Sequence, residues 1–153
     1  GGPSVHSGLT GRKTGIDTYG GYARSSGAAL SGKDPMRIDR VGSYIARYAA
    51  KNVVAAGLAR ECEVQLSYSI GSADPVSIRV RTFGSSELDD EVIADRLKQV
   101  IDFRPGGIVR DLGLKKLSSQ LGGFYRKLAV YGHMGRRELE VPWESTAIAS
   151  KLK

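Results

Sequence analysis

Two stretches of this 153-residue chain alternate strictly between apolar and polar positions. In the first, Cys62, Val64, Leu66, Tyr68 and Ile70 interleave with Glu63, Gln65, Ser67 and Ser69. In the second, Val76, Ile78 and Val80 interleave with Ser77, Arg79 and Arg81. A period of two marks a strand with one covered face. Gly71-Ser72-Ala73-Asp74-Pro75 between them is a turn sequence, so the pair predicts an antiparallel hairpin.

Elsewhere the period is helical. Ile38, Val41, Ile45 and Tyr48 share a face, with Asp34 as N-cap, Pro35 in the first turn and Gly57 as the stop, which predicts a helix over 35–56. Val92, Ile93, Leu97, Val100 and Ile101 predict a second over 89–102, capped by Asp89, and Pro105 opens a short third. Arg12–Tyr19 reads as a short strand, Gly20–Ser31 as a loop of small residues and 131–136 as another loop. Residues after Trp143 read as a frayed tail. The expected fold is α+β, a two-layer sandwich with helices packed on one face of a mostly antiparallel sheet. It divides into a glycine-rich segment with the first strand (1–33), an α+β C-terminal domain (34–144) and a tail (145–153).

Charge adds a direction. Residues 1–60 hold nine Lys/Arg and three Asp, whereas 61–153 hold fourteen basic against thirteen acidic residues. The basic bias of the chain therefore sits in its first part and suggests an anionic partner, or else a solvated basic face. No apolar run is long enough to span a bilayer. The lone Cys62 excludes a disulfide framework, reads as a small apolar strand residue, and fits a cytoplasmic location. The start at Gly1, without a methionine, suggests a fragment.

Three clusters could bind that anion. Gly8-Leu9-Thr10-Gly11-Arg12-Lys13 sets two cations after a glycine-bearing turn, though such a string taken alone is also an ordinary surface turn. It is not a P-loop, because Arg12 separates Gly11 from Lys13. Lys33, in Ser31-Gly32-Lys33-Asp34-Pro35, precedes a helix N-terminus with free N–H groups, and Arg37 follows one turn on. Asp39 in the first helical turn suits the helix dipole, and beside phosphates it could hold Mg²⁺. His6 and His133 have no metal-ligand neighbour at helical spacing, and His133 reads as a hydrogen-bonded loop histidine.

Together these strings are far more specific than apart. Gly8–Lys13, Asp17-Thr-Tyr-Gly-Gly21, Leu30–Pro35, Asp39-Arg40, Ala46-Arg-Tyr48, Ala50-Lys-Asn52, Ser67–Gly71, Tyr131-Gly-His133 and Pro142-Trp-Glu144 follow the order and spacing of S-adenosylmethionine synthetases, and the resemblance covers nearly the whole chain. It implies that ATP and L-methionine give S-adenosylmethionine, phosphate and pyrophosphate. It implies ATP-phosphate contacts by Arg12, Lys13 and Lys33, with Ala29 against ATP, an adenine contact by Ile70, and Mg²⁺ binding by Asp39. The family also uses K⁺, whose carboxylate ligand lies in a segment absent here. By the same resemblance the catalytic histidine lies in an N-terminal portion, so this segment holds no catalytic residue. Active sites of the family are shared between subunits of a homodimer or homotetramer.

Three positions depart from the family pattern. His6 stands where many members have a methionine-binding Asp, Arg37 where Lys is usual, and Ser25-Ser26-Gly27-Ala28 replaces a glycine-rich run. The methionine side, His6 and Arg37, is therefore altered, which leaves room for a non-catalytic assembly subunit of the same fold. A basic nucleic-acid-binding domain is the remaining alternative. It has the charge but no recognised motif, and its aromatics are not interleaved with basic residues.

Overall fold

The structure is a computed structural model, and it describes residues 13–120 and 123–153. It is α+β, as expected. After one helical turn, α1 (Thr14–Asp17), come α2 (Ile38–Ala55), the hairpin β1 (Glu63–Ser67) and β2 (Ser77–Arg81), then α3 (Asp90–Val100), α4 (Pro105–Asp111), α5 (Leu114–Gln120) and α6 (Phe124–Leu128). Short 3₁₀ turns follow at Arg137–Leu139, Pro142–Glu144 and Ala149–Lys151.

The hairpin forms in the expected antiparallel sense, with Val64 opposite Val80 and Leu66 opposite Ile78. These four side chains share one face and join the core, while Gln65 and Arg79 point away from it. The turn is closed by the Val76 N–H donating to Ser67 O at 2.8 Å. Ile70 falls in this turn, three residues beyond the end of β1. Cys62 precedes β1 and packs half-buried against the core, where burial first, then Asp90 and Glu63, push its thiol up to about 12.

Helix α2 lies against β1 and runs about 27 Å at 1.5 Å per residue. Its buried line is Val41, Tyr44, Ile45, Ala49 and Val53. This is the expected face turned slightly, for Ile38 stands exposed and Tyr48 half-buried. The helix starts later than the sequence suggests. Arg37 occupies the N-cap position, and the Asp34 carboxylate instead accepts the Met36 N–H at 2.8 Å in a turn of its own. Gly57, at φ 76°, ends the helix, with the Leu58 N–H donating back to Val53 O at 3.2 Å.

Two expectations need correcting. Residues 13–19 form no strand, because the Asp17 N–H donates to Lys13 O at 2.9 Å and closes a helical turn. The final residues are docked rather than frayed. Leu152 is fully buried, Ile148 and Ala149 pack on the core, and Arg96 Nη1 donates to Leu152 O at 2.7 Å. Burial of one large apolar side chain is enough to hold a short terminus. At the centre, the Trp143 ring stacks on Tyr44 with centroids 3.6 Å apart, and Phe124 meets Trp143 edge-on.

Leu152→Ala should therefore cost about 2–5 kcal/mol. A urea midpoint unchanged from the parent chain would restore the frayed-tail reading.

Candidate functional site

Lys13 sits at the head of α1, and the i, i+4 step on that turn sets its ammonium on the Asp17 carboxylate. The same Nζ donates to Ser31 Oγ at 3.3 Å and to the Ala129 carbonyl at 2.9 Å. Asp17 Oδ2 in turn accepts the Ser31 N–H at 3.2 Å. Two segments carrying candidate phosphate-binding cations, at 13 and 31–33, are thus tied at one point.

His133 completes the tie. Its Nε2 lies 2.9 Å from Ser31 Oγ and 3.6 Å from Asp17 Oδ2, and its Nδ1 lies 2.7 Å from the Tyr44 hydroxyl. The tautomer with hydrogen on Nε2 fits both sides, leaving Nδ1 to accept from Tyr44. The His133 N–H donates to Asp17 O at 3.0 Å, and the Trp143 indole donates to His133 O at 2.8 Å. Gly132 is required beside it, since at φ 89° a Cβ would stand 2.2 Å from Ile16 O. Asp17 and His133 have no exposed surface. Burial pushes the His133 pKa well below 6.5; the Asp17 charge opposes this, while Arg40 and Lys13 reinforce it.

The second half of the site lies at the start of α2. Lys33 forms an ion pair with Asp39, and Arg40 Nη1 donates to Lys33 O at 2.6 Å. Arg40 is itself buried and lies over the Tyr125 ring, 4.8 Å from its centroid. Ala29 and Leu30 are buried and anchor the loop from inside. Arg37 is exposed at the helix start, and Ile70 is fully exposed in the hairpin turn. Arg12 and His6 lie outside the described residues.

Glu144 braces the same helix. Its carboxylate takes both Arg47 Nε and Nη2, at 2.9 and 3.0 Å, together with Lys51 Nζ at 2.7 Å and the Gly135 N–H at 2.7 Å. Burial alone would raise its pKa, but these donors hold it down at about 2.

The sequence pointed to Lys13, Ala29, Lys33 and Asp39 but not to their support by Asp17, Ser31, Tyr44 and His133. The i, i+4 spacing of Lys13 and Asp17 was the signal for part of it.

A family model of the S-adenosylmethionine synthetase C-terminal domain matches residues 1–145. The chain belongs to that family. The C-terminal domain described here is 55% identical over 154 residues to an S-adenosylmethionine synthase of Crocosphaera subtropica, covering all of this chain and 37% of that relative. A synthase of Gloeobacter violaceus is 54% identical over the same length, again 37% of the relative. Among solved structures, an S-adenosylmethionine synthetase of Campylobacter jejuni superposes with a TM-score of 0.87 at 40% identity, covering 95% of this chain and 37% of that one. The domain thus spans little more than a third of the curated relatives it matches.

The buried imidazole gives a pH signature. A histidine whose folded pKa lies below 6.5 contributes stability that is full above that pH and is lost as the pH falls through the folded value. Urea stability should be flat between pH 8 and 7 and decline below about 6.5, before carboxylates titrate. His133→Asn should flatten this upper part of the decline, and an unaltered profile in that variant would contradict the assignment.

Proposed function

We propose that this chain supplies the triphosphate-facing side of an S-adenosylmethionine synthetase site. The observation that carries the reading is the joining of Lys13 to the Leu30–Lys33 loop at the start of α2, with Asp39 beside Lys33. In the reaction, the methionine sulfur attacks the ribose C5′ of ATP and the C5′–oxygen bond breaks. The whole triphosphate leaves and is then hydrolysed to phosphate and pyrophosphate. Concentrated positive charge lowers the barrier by stabilising that leaving group. Lys13, Lys33 and Arg12 would meet phosphate oxygens, Ala29 would lie against ATP, Ile70 would meet the adenine, and His6 and Arg37 would face methionine.

The donor set fits Mg²⁺ in a limited way. Among the described residues no group of three or more His, Cys, Asp or Glu could hold a metal ion. Mg²⁺ needs only one or two carboxylates when phosphates and water complete its shell, so Asp39 is a fitting single ligand. When bound, the ion would offset charge on the leaving triphosphate. K⁺ has no proposed ligand in this chain. The catalytic group, the rest of the site and assembly into a homodimer or homotetramer belong to the full-length subunit, in the cytoplasm. A chain of this length alone should make no S-adenosylmethionine.

Inorganic tripolyphosphate titrated into the chain by calorimetry tests the phosphate half directly. Binding should appear at low salt and weaken as salt rises. Lys33→Met should weaken it about tenfold, the worth of one charge-assisted hydrogen bond. No heat at low ionic strength, or equal affinity in the variant, would sink the reading. S-adenosylmethionine formed from ATP and methionine by this chain alone would show that the site is not shared.

A further inference from the structure

We infer that Asp17 is a positioning residue for the phosphate site, acting through the Lys13 ammonium, which it fixes against Ser31 at the root of the Leu30–Lys33 loop. This rests on the phosphate-site reading above and adds to it a residue that touches no ligand.

Asp17 has no exposed surface, so it cannot meet a phosphate itself. Its two oxygens face inward, one to Lys13 and one to the Ser31 N–H. The Lys13 side chain, by contrast, keeps 38% of its surface open. An ammonium has three protons to donate, and here all three have partners: Asp17, Ser31 Oγ and Ala129 O. Two of those partners lie inside the tie, whereas the Ala129 carbonyl accepts on the exposed side. An anionic oxygen is a stronger acceptor than a neutral carbonyl, so the outer partner is the one a phosphate would replace. The inner two would remain and keep the ammonium in place. A free lysine would have to lose the freedom of its four-carbon stem on binding; here that ordering is already done in the fold.

The alternative is that Asp17 merely neutralises Lys13. The two roles predict opposite signs. A carboxylate near an anion site repels the anion, so removing a bystander charge tightens binding. Removing a positioning group loosens it.

Tripolyphosphate would be titrated into the parent chain, Asp17→Asn, Lys13→Met and the double variant, with circular dichroism to confirm folding. Asp17→Asn should weaken binding about five- to tenfold despite its lost negative charge, and should add nothing in the Lys13→Met background. Affinity equal to or tighter than the parent's in Asp17→Asn overturns the inference, and so does an additive loss in the double variant, which marks general damage to the fold. A parent chain that binds no tripolyphosphate removes the phosphate-site reading and this inference together. Should Asp17→Asn not fold, trace acetylation of the parent chain followed by mass spectrometry decides. Lys13 should be modified several-fold more slowly than the half-exposed Lys98, and equal rates would overturn the inference.

Discussion

The arrangement of the candidate site depends on one buried polar contact set, the imidazole of His133 held between Tyr44 and Ser31. Two ionisable groups, His133 and Asp17, are wholly buried, and the Trp143 indole N–H donates to the His133 carbonyl at 2.8 Å. Leaving any one of their polar atoms unpaired would cost about 1–3 kcal/mol. Each is paired, and the partners come from segments more than a hundred residues apart. A satisfied network of this kind tolerates few alternative geometries. It therefore fixes the 13–17 turn, the loop at 31 and the Gly132–His133 corner relative to α2. Helix α2 is fixed in turn by Glu144 gripping Arg47 and Lys51.

The basic bias of the first sixty residues takes on a different meaning in this setting. Of its nine basic residues, Lys13, Arg24, Lys33, Arg47 and Lys51 form ion pairs. Glu63 and Glu144 from the later part of the chain supply three of those pairs. The charge asymmetry along the sequence is thus partly offset in space by two carboxylates. A nucleic-acid interface needs a basic stripe open to phosphates along its length. Among the described residues the candidate phosphate-binding cations Lys13 and Lys33 lie close together, tied through Ser31 and the loop at 31–33, an arrangement suited to a small polyphosphate.

The hairpin and the two longer helices were legible because each buries one face, and burial of one face writes a period into the sequence. Their ends were less so. Asp34 has the chemistry of an N-cap, but Pro35 and its own Asx turn delay the helix to Ile38. The 13–19 segment misled because Ile16 and Thr18 alternate as a strand would, yet the Lys13–Asp17 contact closes a helical turn. α5 and α6 are held by tertiary packing of Leu114, Phe124 and Leu128 rather than by local pattern. The cations of the site were visible as residue types at the right spacing. Their supports were not, because Asp17, Ser31, Tyr44 and His133 meet only after the chain has folded. The family resemblance carried the strings containing Asp17, Ser31 and His133, though not Tyr44, without revealing that these residues touch.

The two site lysines are also not equivalent, and the difference lies in their partners. Asp17 is wholly buried, so separating it from Lys13 would leave an unpaired charge inside the protein. Asp39 keeps 37% of its side-chain surface open, and water can take over its solvation when Lys33 leaves. A partly exposed ion pair of this kind is more easily separated than one with a wholly buried partner, because water screens it. Lys33 is therefore the cation that can change partner at small cost, and Asp39 the carboxylate that becomes free when it does. Lys13 is anchored, and can exchange only the outer of its three hydrogen bonds. One fixed and one exchangeable cation, on two segments joined at Ser31, would let the proposed site keep its geometry while it trades internal charges for those of a ligand.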